Sequence, residues 1–309
     1  MQAHFWVVLG QVATLFLLMG VGFLLTKIGW LTRAGTAEMT TVLLYVVTPC
    51  IIVDSLQKDW DPALLHTLAV GSAAVLLVYL LNIPLSTRFF RRREPVLRAP
   101  LQFGCIYGNV GFMGLPLAAA VLGEDALIFA VVTVVVFNLF TWTHGILIMG
   151  GRGAFNLRKL FLNPGVIATA IGLPLFLLGI RLPGPMGTAV SFLGDLNTPL
   201  AMLVIGAQMA RADLLATFRN KTLYAACGIK LLFIPLLSAV LLLPFRLDPV
   251  FYTCSVILTA VPTAGVTAIF AEKFDRSPVT TAQLVTLSTL LSIATLPVLA
   301  VAARILSQL

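Results

Sequence analysis

The residues able to do chemistry in this chain are few, and they gather at two places. Gly108-Asn109-Val110-Gly111-Phe112-Met113-Gly114-Leu115-Pro116 lies inside an apolar run over 101–122. Thr259-Ala260-Val261-Pro262-Thr263-Ala264-Gly265 lies inside another. Glycines, an amide and prolines are poor material for an uninterrupted helix. Pro116 has no N–H to donate, so a carbonyl one turn earlier loses its partner. In hydrocarbon an unpaired backbone group costs several kcal/mol, so such a break survives only where protein or a water-filled cavity surrounds it. The half-helix after each break presents free N–H groups and a positive dipole end. Asn109, with Gly108 before it, adds two donors and an acceptor without a charge. Together these could hold an anion; the plainer alternative is an Asn that caps its own helix. Across the second break, caused by Pro262, Thr263 and Thr267 are candidate contacts, although such hydroxyls usually bond back to their own helix. Pro116 and Pro262 are taken as the determinants of the two breaks.

Lys230 is the basic residue nearest the middle of an apolar run. A lysine at the bilayer centre costs roughly 2.5–3.5 kcal/mol even on the lenient insertion scale, so it should face a cavity or a partner. Either it stands in for a coupling cation or titrates during a transport cycle, or it snorkels. Asn138 and Gln208 are further buried amides, of the kind that also join helices; Asn138 is the better candidate for substrate. Asp54 and Asp195 read as solvated span ends, and His4, His66 and His144 have no metal-ligand spacing. Cys50, Cys105, Cys227 and Cys254 sit in apolar segments without a CxxC, so neither disulfide nor zinc is implied. No cofactor is called for.

These residues must be positioned by membrane helices. The chain is 59% hydrophobic and 10% charged, with a mean hydropathy of +1.02, against about 25% charged in ordinary domains. Apolar windows long enough to span a bilayer fall at 5–25, 37–56, 63–83, 101–122, 126–149, 162–180, 188–209, 221–243, 251–271 and 281–305. Odd-numbered connections hold fifteen basic residues: Lys27, Arg33, Arg88, Arg91, Arg92, Arg93, Arg98, Arg152, Arg158, Lys159, Arg211, Arg219, Lys221, Lys273 and Arg276. Even-numbered ones hold only Lys58, Arg181 and Arg246. This asymmetry places the odd connections in the cytoplasm and both termini on the outer, periplasmic side of the cytoplasmic (inner) membrane. It also accounts for the net charge of +8 without nucleic acid. The Arg88–Arg93 cluster could in addition touch anionic lipid.

Five spans precede the Arg152–Lys159 loop and five follow it, in opposite orientation. Thr48-Pro49 recurs as Thr198-Pro199, and Pro116 as Pro262, at similar spacing. Residues 1–155 and 156–309 therefore read as two halves of an inverted repeat, and paired interrupted segments point to a transporter's binding site. The motifs Asn109 to Leu117, Asn163-Pro164-Gly165-Val166-Ile167, Thr198 to Ala207 and Val261-Pro262-Thr263-Ala264 resemble the auxin efflux carrier family. Its members include bacterial malonate and malate permeases and the plant PIN-type carriers, and the similarity covers essentially the whole chain. The resemblance implies an all-α polytopic membrane protein with the fold of bile-acid/sodium symporters. Spans 1, 2, 6 and 7 would then form a scaffold, spans 3–5 and 8–10 a moving core with broken spans 4 and 9 crossing inside it, and two chains a homodimer. In the symporters a carboxylate near the crossing holds sodium. Here the nearest acid, Glu272, lies at a helix end, which argues for sodium independence.

The expected function is a secondary transporter that moves a small organic anion, a mono- or dicarboxylate such as an auxin-like acid, by alternating access. The alternatives are a passive anion channel and a sodium-coupled organic-anion symporter. A channel would need a continuous polar lining, which this sequence does not supply. An enzyme is not expected, because GxSxG, HExxH and an intramembrane carboxylate pair are all missing.

Overall fold

The structure is a computed structural model that describes residues 2–59, 62–154, 158 and 161–308. Within these residues the backbone is helical, and the β-type pairing is a single isolated bridge. The main helices are α1 Gln2–Lys27, α2 Arg33–Ser55, α3 Pro62–Phe90, α4 Pro95–Ile106, α5 Val110–Leu122, α6 Glu124–Gly150, α7 Pro164–Leu177, α8 Gly184–Ala210, α9 Lys221–Phe245, α10 Pro249–Ala260, α11 Val266–Lys273 and α12 Pro278–Leu306, with a short helix Leu214–Arg219 between α8 and α9. Seven described helices are long and apolar enough to cross a bilayer, and α5, α7 and α10 are shorter apolar helices. The helices carry large apolar side chains on their outer surfaces, among them Leu17, Ile171, Phe192 and Val279. Patches of that kind are rarely left to water. The chain is a multi-pass membrane protein.

Local sequence explains where the helices start and where they deform. Thr32 caps α2 by accepting the Gly35 N–H at 3.1 Å, and Asp248 caps α10 through Val250 and Phe251. Three helices contain a turn widened to i→i+5 bonding, at Leu43–Val47, Val110–Gly114 and Ile229–Phe233, and each lies just before Pro49, Pro116 or Pro235. A proline inside a helix cannot donate and its ring crowds the carbonyl four residues back, and a wider turn relieves both. A fourth wide turn, at Thr141–Gly145, has no proline after it and no local cause that we can name.

Two sets of helices pack closely, and α1 also joins them by packing on α12. α1 lies along α8, and α2 packs on α7 and α8. The α1–α8 approach is backbone against backbone: a Cβ on Gly206 would stand 1.9 Å from the Met19 carbonyl, and one on Gly22 would stand 2.2 Å from that of Leu203. Only glycine fits there, as at many close helix pairs in membranes. In the second group α12 is flanked by α9, α10 and α11, and α6 packs on α3 and α10. The boundary read from sequence at 155/156 lies outside the described residues.

Candidate functional site

The two interrupted stretches meet. α4 ends at Ile106 and α10 at Ala260, and the short connections after them pair in antiparallel fashion through Gly108 and Thr263. The Asn109 N–H donates to the Pro262 carbonyl at 2.8 Å, and the Ala264 N–H donates to Tyr107 at 3.0 Å. Each break thus supplies the backbone bonds the other lacks, which is what irregular chain in an apolar interior requires. Gly108 lets the two connections approach without displacing their neighbours. A Cβ there would stand 2.8 Å from both Lys230 Nζ and Val261 Cγ2.

The first interruption falls at Tyr107–Asn109, well before Pro116. Pro116 instead sits in the second turn of the outgoing helix, and its effect is the wide turn at Val110–Gly114. Pro262 lies within its break. The sequence reading places the cause of the first break too late in the chain: glycine and tertiary pairing interrupt the helix, and proline only loosens it.

Four helix ends converge here, and they are sorted by polarity. The C-terminal ends of α4 and α10 are covered by protein. Thr263 Oγ1 donates to the Gly104 carbonyl at 3.0 Å, and Lys230 Nζ to that of Thr259 at 3.0 Å. The Thr263 N–H donates to Ser288 Oγ at 3.1 Å, which ties the crossing to α12. The N-terminal ends of α5 and α11 instead face a cavity of about 160 Å³. There the N–H groups of Gly111, Phe112, Gly265 and Val266 have no acceptor among the described residues.

The rest of that cavity is neutral and amphipathic. Asn109, Asn138, Asn163 and Gln208 bring four amides, Thr40, Thr48 and Thr141 bring hydroxyls, and Phe112, Phe137 and Trp142 bring rings. No side chain in the lining is charged. The hydroxyls of Thr48 and Thr141 are buried without a partner. The amides of Asn109, Asn138 and Gln208 make no hydrogen bond to the described protein, whereas Asn163 Oδ1 caps α7 through Gly165 and Val166 at 2.9 and 3.2 Å. Gly165 makes room for Asn138, whose Nδ2 would lie 2.7 Å from a Cβ at that position. Asn138 is buried, Asn109 half-buried and Gln208 exposed, so the unpaired amides stand where a ligand entering the void can reach them.

The sequence profile of the family described as Membrane transport protein, that of the auxin efflux carriers, matches residues 7–156 and 153–300. The chain belongs to this family. It is a membrane transporter and not an enzyme. Full-length relatives agree. An "Uncharacterized transporter" of Methanothermobacter thermautotrophicus is 24% identical over 297 residues, covering 93% of this chain and 95% of its own. A "Putative malonate transporter" of Rhizobium meliloti is 24% identical over 306 residues, covering 93% and 92%.

In this transporter, the residues singled out in the sequence separate into two sets. Asn109, just before α5, and Asn138, in α6, both line the cavity. Gly108, Thr263 and Lys230 are at the crossing but outside the lining, and Thr267 is buried with its hydroxyl unpaired. Three contributions escape the sequence reading: Asn163, the threonines of α2 and α6, and the aromatic wall. Asn163-Pro164 is visible as a helix start, but nothing local shows that the start opens onto a cavity. Gln208 reads from sequence as a buried amide that joins helices; in the structure it is exposed and lines the cavity.

Proposed function

We propose that this transporter is a secondary carrier for a small organic anion, with one carboxylate held where α5 and α11 begin. The observation that carries the reading is the polarity sorting at the crossing: two uncapped helix N-termini and unpaired amides face one cavity. Each N-terminus favours a negative charge by about 0.3–1 kcal/mol when exposed and up to about 2 when partly buried. Charge-assisted hydrogen bonds from amides and N–H groups add to this. The rings of Phe112, Phe137 and Trp142 suit the apolar body of such an acid. Malonate enters as a candidate through the name of the Rhizobium relative.

In this proposal α4 and α5 form one broken span and α10 and α11 another. The chain then has ten spans in a 5+5 inverted repeat, and the fold is that of the bile-acid/sodium symporters. The group α1, α2, α7 and α8 is the scaffold, and the remaining helices are the mobile core. The cavity lies between them, with Thr40, Leu44, Thr48, Asn163 and Gln208 on one side and α5, α6 and α11 on the other. It also lies toward the ends of α2, α6, α8 and α11 that join the basic connections, so this conformation is one open to the cytoplasm. On the far face Lys58, after α2, pairs with Asp125, at the start of α6, across the two groups. An inside-negative potential drives an anion outward by about 2.3 kcal/mol per charge per 100 mV, which makes efflux the downhill direction. The cavity holds no carboxylate to anchor sodium, in keeping with sodium independence. Homodimerisation through the scaffold and a cytoplasmic-membrane location with outer termini complete the proposal.

Counterflow uptake of labelled carboxylates into sodium-free proteoliposomes tests it. The expected result is saturable accumulation of one acid, competed by unlabelled acid and lost in Asn109→Ala. Uptake that is linear in concentration and shows no counterflow would replace the carrier with a pore.

A further inference from the structure

A neutral cavity poses a problem for an anion carrier. Helix ends and amides lower the cost of a carboxylate, but a bare charge transferred from water to a dry site still pays heavily. A full positive charge lies directly behind the crossing. Lys230 is the one basic side chain fully buried among the described residues, 1% exposed. It has no carboxylate in reach there, because the two ion pairs of the described structure are Lys58–Asp125 and Arg181–Asp59. Its single protein acceptor is the Thr259 carbonyl in the last turn of α10. Its ammonium lies against Gly108, and the next residue, Asn109, lines the cavity. One residue of backbone therefore separates a buried unit charge from the amide proposed to meet the substrate.

We infer that Lys230 is the counter-charge that makes the cavity select anions, acting through the crossing without touching the ligand. The inference rests on the anion-carrier reading and deepens it. In the empty protein the ammonium is held by the negative pole of α10. That is half a charge at best, so a net positive field remains on the cavity side. A carboxylate arriving at the N-terminal ends of α5 and α11 completes the neutralisation. Such a device binds a charge but presents no charged group that must be unpaired for release, which suits a site that has to let go on the opposite side. Lys230 is thus a positioning and selectivity residue. Its loss should be felt in the preference for charge and not in the shape of the site.

The test measures ligand dissociation constants for the purified transporter in lipid nanodiscs, with malonate and phenylacetate each set beside its neutral amide. Wild type should bind an acid more tightly than its amide. Lys230→Gln keeps a donor for Thr259 and should lose about tenfold in affinity for the acid, the effect of a unit charge acting across roughly ten ångströms of protein. Its affinity for the amide should not change, and Lys230→Arg should retain the preference. Equal losses for acid and amide would reduce Lys230 to a structural strut and overturn the proposal, as would an unchanged acid affinity. Should Lys230→Gln not fold, wild type alone still decides: acid and amide bound equally would sink the idea. Binding of neither acid by wild type would instead bring down the carboxylate reading beneath it, and the selectivity role with it.

Discussion

The two sides of the helix crossing are built from the same kinds of residue and treated in opposite ways. On the side of α4 and α10, the groups at the crossing itself are paired: Thr263 bonds Gly104 and Ser288, and Lys230 bonds Thr259, although the Ser255 hydroxyl further back in α10 is buried without a partner. On the side of α5 and α11, four backbone donors and three side-chain amides have none. These donors and amides line a cavity and most are only partly covered, so a ligand that enters can pair with them without breaking protein hydrogen bonds. The difference teaches where stability and function reside. Satisfied polar groups hold the two broken helices together, and unsatisfied ones wait for a ligand. Substitutions on one side should therefore move unfolding, and those on the other should move transport.

The largest effect is expected where both sides share a residue. Gly108→Val would drive its side chain into Lys230 and Val261, and overpacking of this kind costs about 1–3 kcal/mol and sometimes more. The thermal unfolding midpoint in detergent should fall by several degrees and transport should vanish. A Gly108→Val protein that still carries substrate would mean that the close approach is dispensable.

Thr263→Ala comes next and should separate the two properties. It leaves the Gly104 carbonyl without its donor in a fully buried place and should cost about 1–3 kcal/mol, read as a lower unfolding midpoint. The affinity of the surviving folded protein should change little, because Thr263 is outside the cavity lining. A loss of affinity with an unchanged midpoint would reverse the assignment and make Thr263 a ligand contact.

Asn109→Ala should do the opposite. Its side chain caps nothing and makes no bond to the described protein, so the midpoint should move by less than the equivalent of about 1 kcal/mol. Substrate affinity should fall about tenfold, as for a lost charge-assisted hydrogen bond worth about 1.5 kcal/mol. Comparable unfolding in Asn109→Ala and Thr263→Ala would erase the contrast between the two sides.

What can be read from the sequence follows the same division. That the chain is helical and crosses a membrane several times is a property of apolar windows, and Gly108, Asn109 and Pro262 mark the interruptions because their chemistry is local. The lining of the cavity is not local. Asn163 belongs to it because α7 starts beside Asn138, and Gln208 belongs to it because the end of α8 lies beside the start of α11 at Gly265. Both depend on which helices lie together, which no periodicity encodes. Thr263 shows the reverse case. A hydroxyl at a break is an equally good ligand or strut on paper, and the bond to the Gly104 carbonyl at 3.0 Å is what favours the strut.

Pro116→Ala should give the smallest effect and the finest test. The sequence points to Pro116 as the cause of the first break, yet that break is made by Gly108 and its pairing with Thr263, which do not involve Pro116. An alanine there supplies an N–H to the Phe112 carbonyl and lets the wide turn at Val110–Gly114 close to an ordinary α-turn. The restored bond and the better helix propensity favour the variant, while the repacking of Leu115 and Leu117 in the core opposes it, so the unfolding midpoint should stay within about a degree or two of wild type. The tightened turn would rotate the Gly111 and Phe112 N–H groups relative to Asn109. Affinity should therefore change by a few-fold with little change in stability, the pattern of the ligand side. If Pro116→Ala unfolds as readily as Gly108→Val, the proline is holding the crossing after all, and the partition of the two sides must be drawn one turn further along α5.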